Sequence, residues 1–247
     1  MGLHLKASLD DKRVVAQTIS KINQEGEIVS MIEQYRHNGR PFEMVDPLEY
    51  HGLLNSKLAA VEVDDILKQE VQDIINGMFD VANGKGHDSK DTRQVVGLAA
   101  SQVGINARII LIDLSANGAN QPQNLVAIIN PELADLSDEL VDGREGCWSC
   151  GNVCGNVERS KTVTLSGLDK YGNPVSYQLS DFVARVAQHE TNHLDGIRFP
   201  DQIPKDQPRR LHYVLPEQFE LYRTEWPTWQ TLCERSYWED FKHGKSK

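Results

Sequence analysis

The sequence is short of cysteine, of basic residues and of long apolar runs, and each shortage removes a class of protein. Only four cysteines occur in 247 residues, at Cys147, Cys150, Cys154 and Cys233. A secreted disulfide framework spaces its cysteines more widely and in a shorter chain, so no such scaffold is expected. Cys147-Trp148-Ser149-Cys150 is a CxxC, but no second CxxC completes a four-cysteine zinc knuckle. Lys and Arg total 26 against 36 Asp and Glu, and the resulting net charge of −10 opposes non-specific binding to nucleic acid or to an anionic membrane. No apolar run approaches the ~20 residues that span a bilayer. The residues after Met1 show neither a signal-peptide apolar stretch nor an Arg-rich transit pattern, and Lys6 stands where a myristoylation signal beginning at Gly2 wants Ser or Thr. Repeats and low-complexity segments are also missing. The expectation is a cytoplasmic protein with no membrane partner and no direct nucleic-acid partner, whose 39% hydrophobic residues suffice for a core.

What is present divides by periodicity. Val14, Val15, Ile19 and Ile22, then Ile28, Val29, Ile32 and Tyr35, lie at helical spacing and predict two helices ended by Asn38-Gly39-Arg40-Pro41. A longer helix is predicted over 63–82, with Ile66, Leu67, Val71, Ile74, Ile75, Met78 and Val81 inward. Residues 83–94 are polar and Gly-rich and read as a surface loop. Beyond them, 109–114, 125–130, 162–167 and 175–179 are short β-branched runs, and Asp169 to Pro174 reads as a hairpin turn joining the last two. In the tail, Pro204, Pro208, Pro216 and Pro227 leave room for one short helix at 217–223, and Trp226, Trp229 and Trp238 are expected to pack the tail onto the body.

The chemistry begins at His189-Glu190-Thr191-Asn192-His193, an HExxH. An α-helix turns about 100° per residue, so side chains four apart share a face and both imidazoles point the same way. Imidazole ligates zinc and iron, and a Glu beside the first His reaches a water on the metal without ligating it. The flanks predict the helix: Ser180 at the N-cap, Asp181 in the first turn, Gly196 as terminator and Pro200 soon after. Phe182, Val186, His189 and His193 form one stripe, so the histidines lie on an apolar face and need partners. Cys147, Cys150 and Cys154 are all candidates for a third ligand.

Two other stretches join this one. Gly97-Leu98-Ala99-Ala100-Ser101-Gln102-Val103-Gly104 and Glu145-Gly146-Cys147-Trp148-Ser149, followed by Gln188 to Gly196, resemble in order and spacing the three signature motifs of the peptide deformylases. Asn130-Pro131 after a strand and the 159–174 hairpin are similar to that family too. The resemblance covers roughly 47–202. It implies that Cys147, His189 and His193 hold one divalent ion, Fe²⁺ or Zn²⁺. It further implies that Glu190 moves protons, and that the Gln102 amide and the Trp148 backbone N–H stabilise the oxyanion. Val96, Gly97, Glu145, Gly146, Phe182 and Val186 are the implied substrate-binding residues. The substrate is an N-formylmethionyl peptide or nascent chain, with the ribosome as a further candidate partner, and the products are formate and a free amino terminus.

The motifs depart from the family in named places. Val95 stands where the first motif has its first Gly, Trp148 replaces Leu, Asn192 replaces Asp, and the segment from Cys150 to Cys154 replaces an apolar, Pro-containing continuation. The expected fold is α+β, with mostly antiparallel strands packed around a long HExxH-bearing helix and additional N-terminal helices. Its expected organisation is a helical extension over 1–46, a metallohydrolase domain over 47–202 and a tail over 203–247. Two rival readings are another HExxH peptidase or amidase, which would need neither Gln102 nor Cys147, and a deformylase-like binding protein without catalysis.

Overall fold

Eight strands, every pair of them antiparallel, build two sheets in the computed structural model, which describes residues 42–85, 94–118 and 122–245. The chain divides into Met1–Arg40 and Pro41–Lys247. The two helices expected before Pro41 lie outside the described residues, as does most of the loop expected over 83–94.

The first sheet has five strands, β1 (Gly97–Ala99), β2 (Ile109–Asp113), β3 (Leu125–Ala134), β6 (Thr162–Leu168) and β7 (Pro174–Ser180), in that spatial order. The second joins β4 (Leu140–Gly146), β5 (Val153–Ser160) and β8 (Leu211–Tyr213). β3 runs past the predicted end at Asn130 because the ladder shifts register between Ile129 and Glu132. Asn130 takes φ +49 there and bonds both the N–H and the C=O of Val61 through its side chain. Asn tolerates that conformation, and an irregularity in the pairing is where a Pro without an N–H is accepted. The turn from Asp169 to Pro174 forms as expected: Asp169 Oδ1 accepts the N–H groups of Tyr171 and Asn173 at 2.8 and 2.9 Å, and Gly172 supplies φ +84.

Six helices are described: α1 (His51–Leu54), α2 (Gln69–Ala82), α3 (Asp181–Leu194), α4 (Phe199–Gln202), α5 (Phe219–Glu225) and α6 (Arg235–Lys242). α2 starts six residues later than predicted, since Val63–Asp65 is a separate 3₁₀ turn and Lys68 is extended. Of its expected inward residues there, Ile66 is fully buried but Leu67 is 68% exposed and turns to solvent, so the turn does not present a helical face to the body. α3 is the HExxH helix and ends within a residue of its expected position. Ser180 occupies its N-cap without a side-chain bond, so the expected capping hydroxyl contributes nothing. At its C-terminus, Ile197 N–H bonds Asn192 O and Gly196 N–H bonds His193 O, a Schellman closure with Gly196 at φ +71. A Cβ at Gly196 would also strike the backbone of Asn55 and Ser56, so only Gly serves.

One face of α3 packs on the first sheet, where Ala184, Val186, Ala187 and Leu194 join Ile110, Ile112, Ile128, Val163 and Leu165 in a buried cluster. The tail is less irregular than predicted: the helix expected at 217–223 is α5, and α6 was not anticipated. Trp238 is fully buried, and Trp226 and Trp229 pack against Cys154, Val214 and Tyr222, as the sequence suggested.

Candidate metal centre and its surroundings

α3 packs against strands of both sheets. His189 and His193 project from the helix and meet Cys147, which follows the last residue of β4; one donor atom from each of the three lies within 4.8 Å of the others. Cys147 Sγ and His193 Nε2 are 3.3 Å apart. Donors at the ordinary Zn–S and Zn–N lengths around a tetrahedral ion stand about 3.3–3.6 Å from each other, so this spacing suits a metal. One thiolate and two imidazoles also suit a borderline divalent ion. Of the three candidate cysteines, Cys147 alone joins the cluster; Cys150 and Cys154 are buried small side chains behind it, and all four cysteines are free.

The face of the cluster turned into the protein is heavily bonded. His189 Nδ1 lies 2.9 Å from Glu145 Oε2, which directs Nε2 toward Cys147. Arg159 grips the same carboxylate with Nε and one terminal nitrogen, both at 2.9 Å, and Arg185 adds a third bond at 2.9 Å. Arg185 is in turn held by the carbonyls of Val141 and Val157. Burial works to raise the Glu145 pKa, but the bonds from His189 and Arg159 outweigh it and hold the carboxyl well below the usual range. Glu145 was expected to bind substrate. It is instead 5% exposed, with both oxygens taken by the arginines and His189, so no acceptor is left for a peptide. The Asn192 that replaces Asp still accepts a bond from Arg159, so the loss of charge leaves the contact in place.

Arg185 escaped the sequence reading although it carries a signal. It sits four residues before His189 on the same stripe, and a charged residue on an apolar face demands a buried partner. Arg198, fully buried, was missed for the opposite reason: its acceptors, the carbonyls of Ser149 and Lys242 and the side chain of Asn55, are remote in sequence.

Gln102 and Glu190 stand beside the cluster. The Gln102 amide is fixed at its oxygen by Ala99 N–H at 2.8 Å and directs Nε2 to Cys147 Sγ at 3.3 Å. Glu190 is buried, its Oε2 has no hydrogen-bond partner, and burial pushes its carboxyl up to about 7. The Cys147 thiol is held well below the usual thiol range, first by the hydrogen bond from Cys150 and further by the charge of His193, with burial opposing. A Cβ at Gly97 would collide with Glu190 and Val186, so β1 passes directly over the helix at this point. Gly146 is exposed next to Cys147. Val96, Val186 and the half-buried Phe182 gather in the apolar cluster under β1.

The remaining departures are accommodated. Val95 has no positive φ, and its N–H bonds Ala82 O at 3.0 Å, so the missing Gly leaves no backbone strain. Trp148 is 42% exposed and its indole N–H reaches Val45 O at 3.1 Å.

Among the described residues no helix is long and apolar enough to cross a membrane. A peptide deformylase from Microchaete diplosiphon is 36% identical over 163 residues, which cover 64% of this chain and 79% of that protein. One from a Synechocystis species is 32% identical over 177 residues, covering 70% and 86%. The crystal structure of the class I type b peptide deformylase from Acinetobacter baumannii with Met-Ala-Ser bound matches at a TM-score of 0.53 and 29% identity, covering 61% of this chain and 92% of that one. The same enzyme in a second complex gives 0.56 and 29%, covering 66% and 98%. The polypeptide deformylase profile matches residues 48–209, so that all three motifs and the Cys147, His189 and His193 cluster lie inside it, and the chain belongs to the polypeptide deformylase family, enzymes that are metal-dependent hydrolases.

Proposed function

We propose that this chain hydrolyses the formyl amide of N-formylmethionyl peptides or nascent chains, releasing formate and a free amino terminus. The observation that carries this reading is the Gln102 amide, pinned at its oxygen and aimed with its N–H₂ at the Cys147, His189 and His193 cluster beside a buried, unpartnered Glu190 oxygen. Cys147 Sγ, His189 Nε2 and His193 Nε2 are the three ligand atoms, and the donor set suits Fe²⁺ or Zn²⁺. When bound, such an ion supplies Lewis acidity and lowers the pKa of water toward neutrality.

The chain's own groups do the rest. Glu190 accepts the proton of the attacking water and later delivers it to the departing amine nitrogen. Gln102 Nε2 and the Trp148 backbone N–H donate to the formyl oxygen as it gains charge, and each such donor is worth roughly 3 kcal/mol of barrier. β1 is the terminal strand of its sheet, so an extended peptide adds along it near Gly97. The methionine side chain goes to the apolar group of Val96, Phe182 and Val186, and Gly146 leaves room beside the scissile bond. Glu145 and Arg159 orient His189 from behind rather than meeting substrate.

The test is formate release from N-formyl-Met-Ala-Ser, with N-acetyl-Met-Ala-Ser as control, by anaerobically purified protein loaded with Fe²⁺ or Zn²⁺. Release from the formyl peptide that disappears in Glu190→Ala is the expected result. A folded, metal-loaded protein that releases no formate overturns the reading.

A further inference from the structure

Cys150 takes no part in the reaction above, yet it sits against the sulfur that does. We propose that Cys147 and Cys150 form a redox pair, which a hydroperoxide converts into an intramolecular disulfide.

The geometry is that of a closed turn. The Cys150 N–H bonds Cys147 O at 3.0 Å across the 3₁₀ turn Trp148–Cys150. Such an i to i+3 bond keeps the two Cα atoms within about 7 Å, and a disulfide asks for about 4.4–6.8 Å. Cys147 also packs against the buried apolar cluster that holds Cys150. Cys150 itself stands outside the three-donor cluster.

The two sulfurs also differ in access. Cys147 is half-buried between the exposed Gly146 and Trp148, while Cys150 is fully buried in an apolar cluster with Phe199, Cys233 and Trp238. Cys154 packs in a different cluster, with Val214 and Tyr222. An oxidant therefore meets Cys147 first, and the neighbour placed to resolve the product is Cys150.

The chemistry balances without another reactant. The Cys147 thiolate attacks one peroxide oxygen, the O–O bond breaks, and a sulfenic acid forms as hydroxide leaves. The Cys150 sulfur then attacks the sulfenic sulfur, the S–O bond breaks and the S–S bond forms. The Cys150 proton leaves with the second hydroxide as water. Two thiols are oxidised and one hydrogen peroxide is reduced to two waters. A dithiol reverses the change by exchange. Trapping Cys147 in this way keeps it from the irreversible sulfinic and sulfonic acids.

The experiment treats metal-free and Zn²⁺-loaded protein with a small excess of hydrogen peroxide. It maps the cysteines by peptide mass spectrometry and follows Zn²⁺ release with a chromophoric chelator. The expected result is a Cys147–Cys150 disulfide in both forms, with two of the four thiols lost and all four recovered after dithiothreitol. In Cys150→Ala, Cys147 should instead reach the sulfinic acid, which dithiothreitol does not reverse. Recovery of wild-type Cys147 as sulfinic acid with no disulfide, or a bridge to Cys154 or Cys233 instead, overturns the proposal. The wild-type map decides this alone should Cys150→Ala fail to fold. Release of Zn²⁺ on oxidation rests on Cys147 being a metal ligand. A disulfide formed with Zn²⁺ retained would therefore overturn that ligand assignment and leave the pair standing.

Discussion

Gly97 and Glu190 are fitted to each other: the strand backbone passes so close to the carboxylate that a single methyl group on Gly97 would occupy the space of its oxygen and of Val186. Gly97→Ala should therefore move Glu190 while leaving Cys147, His189 and His193 in place. A misplacement of about 1 Å can cost on the order of a hundredfold in rate. Steady-state kinetics and metal content on the same preparation check this, with kcat falling and the metal stoichiometry unchanged.

Glu190→Gln keeps the shape and removes the base. General acid–base groups contribute typically 10²–10⁴-fold. The expected loss is in that range in kcat. Metal bound per chain, measured by atomic absorption, should stay as in the parent, because Glu190 is not among the three clustered donors. A proportional loss of metal would mark Glu190 as a ligand instead.

Glu145→Gln tests the buried network. It takes the charge from between Arg159, Arg185 and His189. Removing one partner of a buried ion pair costs about 3–5 kcal/mol, and loss of the group that orients a ligating His costs about 10–100-fold in metal affinity. Urea unfolding and metal-competition titration report the two effects separately.

His212 carries an expectation about pH. Burial lowers its pKa, only partly opposed by its bond to the Arg209 carbonyl, and Nδ1 lies 2.8 Å from the Tyr222 hydroxyl. The unfolded chain then binds a proton more readily than the folded one, so stability rises with pH. The contribution is complete above the unfolded value of about 6.5 and is lost as pH falls from there toward the folded pKa. Melting temperatures of the wild type and His212→Gln should differ most above pH 7 and converge toward pH 5.

Much of this was legible because it is local. The turn that ends α3 is written in Asn192 to Ile197, the β6–β7 hairpin in Asp169 to Pro174, and the paired histidines in a four-residue spacing. The features that escaped depend on distant partners. β4 reads Leu-Val-Asp-Gly-Arg-Glu-Gly, with two glycines and three charges, and is a strand only because β5 pairs with it along its whole length. Glu145 looked like a cleft residue because the residues that bury it, Arg159 and Arg185, come 14 and 40 positions later. The start of α2 was misjudged because Val63 and Leu67 keep helical spacing while facing solvent. Among the site residues, Cys147 could be singled out from its neighbours only through the family motif, since spacing alone left three cysteines open.

Arg198 gives the enzyme a dependence on its far end. Its guanidinium holds the Ser149 carbonyl within the turn after Cys147, reaches the Lys242 carbonyl at the close of α6, and stacks 4.7 Å from the Trp238 ring. α6 also sets Phe241 against Gly151. The family profile stops at residue 209, so Arg198 and Ser149 lie inside it while Lys242 and Trp238, which hold the guanidinium, lie beyond it. The terminal helix then acts as a thermal fuse. Fraying of α6 takes the Lys242 carbonyl and the Trp238 ring from Arg198, leaving it only Asn55 and Ser149. That should loosen the Cys147 turn before either sheet comes apart, so heat inactivation should follow the melting of the last helix rather than the loss of the β-structure.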